Sequence, residues 1–108
     1  MRNNQFATLS KALNDLRNRG FENELTVMDY DLAQLKNGVK FSPEQLVLIE
    51  HHRFEGFSNP ADNSVVYALE AQDGTRSVIV DGYGKYGDEV IAKFLMNVRD
   101  EHPQNKEL

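Results

Sequence analysis

The chain has 108 residues, enough for one domain and short for two, and 40% of them are hydrophobic, which suits a folded rather than a disordered chain. It has no cysteine, which excludes disulfides, thiol catalysis and thiolate metal centres. Its formal net charge of −5 gives no general attraction to nucleic acid or an anionic membrane, and no apolar run approaches the roughly 20 residues needed to span a bilayer.

Met1 to Gln5 lead into no apolar leader segment, so the expected location is cytoplasmic. Residues 6–19 read as an amphipathic helix. Leu9, Ala12, Leu13 and Leu16 recur at helical spacing, Thr8 suits the N-cap, and Arg17, Arg19 and Gly20 suit the end. Residues 24–29 read as a short strand with Leu25 and Val27 on one side. Residues 30–41 are the least patterned part, where Asn37-Gly38 suggests a small hairpin. Ser42-Pro43-Glu44-Gln45 has a capping-box pattern with proline at N1, and strand-like residues follow at once, so a single helical turn is expected. Leu46 to Glu55 reads as the longest strand. Its apolar positions change parity, with Leu46, Leu48 and Phe54 set against Val47 and Ile49. A bulge or a half-exposed second half would explain this.

Gly56 to Asn63 is a turn-rich loop. Ser64 onward holds two β-like runs joined at Asp73-Gly74, the dipeptide favoured in tight hairpins. With a two-residue turn, Leu69 faces Val78, Tyr67 faces Val80 and Val65 faces Gly82. That pairing collects apolar side chains on one face, the usual criterion for register. Residues 83–87 form a glycine-punctuated loop. Residues 88–98 read as a second helix with Val90, Ile91, Phe94, Leu95 and Val98 as its stripe. Residues 1–5 and 102–108 are expected to fray.

The order predicts a single α+β domain over residues 1–108. It would have two layers: an antiparallel sheet of about four strands, with the N-terminal and C-terminal helices packed on one face. The opposite face would show Val66, Ala68 and Ile79, open to a second copy of the chain or another protein. Neither nucleic acid nor membrane is an expected partner.

His51 and His52 point to opposite sides of a strand, so they do not share a metal ion. Glu50 and His52 do share a face, but two ligands are too few for a zinc site, and no metal site is expected. Strand, acid, glycine loop and helix follow one another at Asp81-Gly82-Tyr83-Gly84, an order that can cradle an anion. The glycine spacing fits neither the Walker nor the dinucleotide pattern. A polar rim of Arg53, Glu55, Asp62, Asp81, Gly82, Tyr83 and Gly84 is the candidate ligand site. No residue pair is singled out as catalytic, and no motif asks for a cofactor.

Thr8-Leu9-Ser10, Ser42-Pro43-Glu44, Arg53-Phe54-Glu55-Gly56, Asn59-Pro60 with Asp62, Val66-Tyr67-Ala68, and Val80-Asp81 with Tyr83-Gly84 form a set. Together, over residues 8 to about 95, they resemble a small family of bacterial single-domain proteins labelled phosphoribosylpyrophosphate synthetase. The resemblance implies a phosphoribosyl- or nucleotide-related ligand. In the long synthetases of that name, a phosphoribosyl loop follows a strand with paired acidic residues. Val78-Ile79-Val80-Asp81 matches its start and Gly82 stands in place of the second acid, so no catalytic residue is carried over. The leading expectation is a small binding or interaction module without catalysis. The alternative is a phosphoribosyl- or nucleotide-related ligand-binding domain.

Overall fold

The structure, a computed structural model, describes residues 8–54, 63–82 and 88–100. Helix α1 covers Leu9–Asn18. The Thr8 hydroxyl accepts from the Lys11 N–H at 3.2 Å, which satisfies one of the orphan donors at the helix start. At the other end Gly20 takes φ +100°. The N–H of Phe21 reaches the carbonyl of Leu16 at 2.9 Å, and that of Gly20 reaches Arg17 at 3.0 Å. These two bonds close the helix and swing Phe21 back into the same core as Leu16.

The strands are β1 (Asn23–Asp29), β2 (Leu32–Leu35), β3 (Lys40–Phe41), β4 (Leu46–Phe54), β5 (Ser64–Ala71), β6 (Arg76–Asp81) and β7 (Arg99–Asp100). A single 3₁₀ turn, Pro43–Gln45, precedes β4, and Gln45 Oε1 accepts from the Ser42 N–H at 2.8 Å. Helix α2 covers Glu89–Met96. The strands form one seven-stranded sheet in the order β3-β2-β1-β6-β5-β4-β7. Most neighbours are antiparallel, but β1 pairs with β6 in parallel, and so does β4 with β7. The expected four-stranded antiparallel sheet is therefore corrected to a curled, mixed, seven-stranded one within an α+β fold.

Chain length alone demands the curl. β3 and β4 sit five positions apart in the sheet, about 24 Å if it were flat. The chain passes from Phe41 to Leu46, and five residues reach at most about 18 Å. The sheet must bend to bring its ends together. Leu25, Ala33, Leu35, Phe41, Leu46, Leu69 and Ile79, drawn from six strands, then share one core with Phe94 and Val98. Helix α2 fills the inside of the curl.

Helix α1 lies on the other side. Ala12, Leu16 and Phe21 pack with Val66, Ala68 and Val78, supported by Ile49 and Phe54. The two helices thus cover opposite faces rather than one. Val66 and Ala68 are 0% exposed beneath α1, and Ile79 is 1% exposed in the α2 core. The open face expected at Val66, Ala68 and Ile79 is closed within this chain. The exposed outer face lies further along, where Thr26, Met28 (55% exposed) and Val80 (39% exposed) stand clear of α1.

β5 and β6 are antiparallel neighbours as expected, but their register differs by one residue. Ala68 faces Val78, Tyr67 faces Ile79 and Val65 faces Asp81. The turn has three residues, not two. Ala71 N–H donates to Thr75 O at 2.8 Å, Gly74 N–H to Ala71 O at 2.9 Å, and Gly74 takes φ +91°. This is a turn followed by a left-handed glycine, the second common way to use Asp-Gly. The Asp73 carboxylate accepts from Thr75 N–H at 2.9 Å. The β2–β3 turn repeats the arrangement, with Leu35, Asn37, Gly38 and Val39 in the equivalent roles.

Candidate functional site

The site grows from a bulge. The pairing of β4 with β5 shifts between Leu48 and Glu50. Before it, Leu46 and Leu48 point into the α2 core. After it, the parity reverses, because an extra residue turns every later side chain over. Glu50, His52 and Phe54 then face α1, while His51 and Arg53 face the inside of the curl. The parity change in the sequence thus marks a bulge.

On that inner face the register sets two rows. His51, Tyr67 and Ile79 stand side by side on β4, β5 and β6, and the next row is Arg53, Val65 and Asp81. The His51 and Tyr67 rings stack with centroids 6.0 Å apart and planes 28° off parallel. His51, Arg53, Tyr67 and Asp81 therefore surround the buried Val65 on three adjacent strands.

Burial lowers the His51 pKa, helped by the positive Arg53 and by His52, while Asp100 on β7 works the other way. His51 is therefore a neutral donor–acceptor at neutral pH rather than a cation. Burial raises the Tyr67 pKa; Asp81 adds to this and Arg53 opposes it. The phenol keeps its proton and can donate. Burial also raises the Asp81 pKa, against the backbone bonds that it accepts.

Asp81 ties β6 to α2. Its Oδ1 accepts from Gly82 N–H at 2.8 Å and Asp88 N–H at 3.2 Å. Asp88 then caps the helix, accepting from Val90 N–H at 2.8 Å and Ile91 N–H at 3.3 Å. A phosphate at this N-terminus would meet two carboxylates already holding the amides that it needs. Among the described residues, the Gly82, Asp88, Val90 and Ile91 amides are thus held by the chain's own acids, while Tyr83 and Gly84 of the expected cradle lie outside them.

Of the expected rim, the structure brings Arg53 and Asp81 onto one face, with Gly82 adjoining. Glu55, Asp62, Tyr83 and Gly84 lie outside the described residues. His51 and Tyr67 complete the cluster and were not in the expected rim. The signal for them was the parity change around Ile49, which turns His51 inward once it is read as a bulge.

A second polar group lies between α1 and β4. Arg19 grips Glu50 with two bonds, Nη1 to Oε1 at 2.9 Å and Nη2 to Oε2 at 2.7 Å, and its Nε reaches Asp15 at 2.8 Å. His52, 2% exposed, meets Glu50 Oε2 at 2.8 Å. Arg76 Nη1 donates to the Arg19 carbonyl at 2.6 Å and lies over the Phe21 ring. This group latches the helix end to the sheet. Glu50 and His52 do share a face, and among the described residues no three His, Cys, Asp or Glu side chains gather as a metal site.

The chain matches no family model, no curated protein and no solved structure. No helix among the described residues is long and apolar enough to cross a membrane.

Proposed function

We propose that this chain is a small ligand-binding module without catalysis, and that His51, Arg53, Tyr67 and Asp81 form its recognition surface. One observation carries the reading: three adjacent strands in fixed register hold a guanidinium, a carboxylate, a phenol and an imidazole on one face. Groups built on strands stay in place, which suits recognition. Exposure supports it too, since Arg53 is exposed and the other three are half-buried. Thermal-shift screening of the chain against polar metabolites of each charge class tests it. At least one class should raise Tm, and the shift should vanish in Arg53→Gln. An empty screen, or shifts indifferent to Arg53, would refute it.

Two more specific readings stand beside it. A phosphoribosyl-related ligand, the class the family resemblance implies, is favoured by the guanidinium of Arg53 on the inner face, and calorimetric titration with phosphoribosyl pyrophosphate and Mg²⁺ tests it. A protein partner or a second copy is favoured by Met28 and Val80 on the outer face, since exposed methionine adapts to varied surfaces. A monomer by light scattering would count against the second copy.

A further inference from the structure

We propose that Asn37 is a site of spontaneous modification, in which its carboxamide becomes a carboxylate through attack by the Gly38 nitrogen, and that the folded β2–β3 turn holds this reaction back.

Asn37-Gly38 is the chain's one Asn-Gly dipeptide. A glycine after asparagine favours ring closure, because no Cβ obstructs the approach of the following nitrogen. The reaction is a substitution within the chain. The Gly38 nitrogen gives up its proton to solvent base and bonds to Asn37 Cγ, and the side-chain nitrogen leaves as ammonia. Water then opens the five-membered imide. Cleavage at Cγ gives aspartate. Cleavage at the main-chain carbonyl gives isoaspartate, in which the backbone runs through the side chain and is one atom longer. Either product adds one negative charge to the net −5.

Asn37 and Gly38 are exposed to water on the turn that joins β2 to β3. Gly38 N–H donates to the Leu35 carbonyl at 2.9 Å, Leu35 N–H donates to that of Val39 at 2.8 Å, and Val39 N–H donates to Asn37 Oδ1 at 3.1 Å. The first bond withholds the proton that must leave. The last ties down the amide that must turn onto the nitrogen. Reaction therefore waits for the turn to open, a local event of the kind that hydrogen exchange detects.

The β5–β6 turn shows what the products would do. Asp73 stands where Asn37 does, and Gly74 takes φ +91° where Gly38 takes +94°. The Asp73 carboxylate accepts from Thr75 N–H as Asn37 Oδ1 accepts from Val39 N–H. That bond above all holds the Asp73 carboxyl below its usual pKa, and an ionised carboxylate is a poor target for attack. Aspartate at position 37 thus suits the turn and ends the reaction. Isoaspartate does not, because the longer backbone cannot keep the closing bonds in place. β3 is held to β2 by the pairs Ala33 with Phe41 and Gln34 with Lys40. Phe41 is 6% exposed and belongs to the α2 core, so the isoaspartyl form should loosen that corner of it.

The test incubates the full chain at mildly alkaline pH, both folded and in denaturing urea. Mass spectrometry of the peptide carrying Asn37 follows the conversion, and anion exchange separates the products. Conversion at Asn37 should be at least tenfold slower in the folded chain. Asn37→Asp should keep the wild-type Tm and the wild-type hydrogen exchange of Leu35 N–H. The isoaspartyl form should have a lower Tm and exchange that amide at least tenfold faster. Equal rates in the folded and unfolded chain, no conversion at Asn37 in the unfolded chain, a Tm for Asn37→Asp well below wild type, or an isoaspartyl form as stable as wild type overturns the proposal.

Discussion

Replacing Phe94 with alanine is expected to lower stability by about 3–5 kcal/mol and Tm by more than about 10 °C. Phe94 is 0% exposed and belongs to the core that joins α2 to six strands. Removing the ring loses its transfer free energy and leaves a cavity, because a sheet curled around the helix cannot collapse into the gap. Met96, two residues on, is 80% exposed. Met96→Ala should change stability by less than about 0.5 kcal/mol, so the pair separates the loss of core packing from any general effect of placing alanine in α2, where it is the best helix former. Urea unfolding of both variants measures it. A loss at Phe94 below about 1 kcal/mol would mean that α2 is not the filling of the curl.

Glu50→Gln is expected to cost about 1–3 kcal/mol. That lies between an exposed ion pair, at most about 1 kcal/mol, and a buried one, about 3–5 kcal/mol. The Glu50 side chain is 25% exposed and Arg19 is 42% exposed, so the latch belongs between them. The substitution also alters acid behaviour. Arg19 above all, with His52 assisting and burial opposing, holds the folded Glu50 carboxyl at about 2, against an ordinary 4.5. A lowered folded pKa stabilises where the carboxyl would be ionised in both states. The contribution is full above about pH 4.5 and is lost as pH falls toward 2. Denaturation midpoints at pH 7, 4, 3 and 2 should therefore converge between the wild type and Glu50→Gln as the solution becomes acidic. A constant gap across that range would exclude the latch as its source.

Local chemistry was legible in the sequence. Thr8 and Gly20 bound the first helix because their bonds join residues a few positions apart, and Ser42 with Gln45 marked the 3₁₀ turn for the same reason. The long-range pairings were not legible. β1 meets β6, and β4 meets β7, through two residue pairs each, and no local pattern encodes contacts so short and so distant. The register failed for a more instructive reason. Gathering apolar residues on one face presumes that the other faces water. Here α1 covers one face and α2 the other, so Val66, Ala68 and Ile79 were a sign of a second covering layer. Asp-Gly also suits both a two-residue and a three-residue turn, and the flanking strands decide between them.

That one-residue difference carries the candidate site. With Val65 opposite Asp81, the carboxylate shares a face with Tyr67, Arg53 and His51. With Val66 opposite Asp81, it would turn to the α1 side and the cluster would come apart. Cross-strand backbone NOEs in the 15N-labelled chain measure this directly. Contacts of Ala68 with Val78 and of Val66 with Val80, together with His51–Tyr67 ring contacts, are the expected result. Contacts of Leu69 with Val78 and Tyr67 with Val80 in their place would contradict both the register and the site built on it.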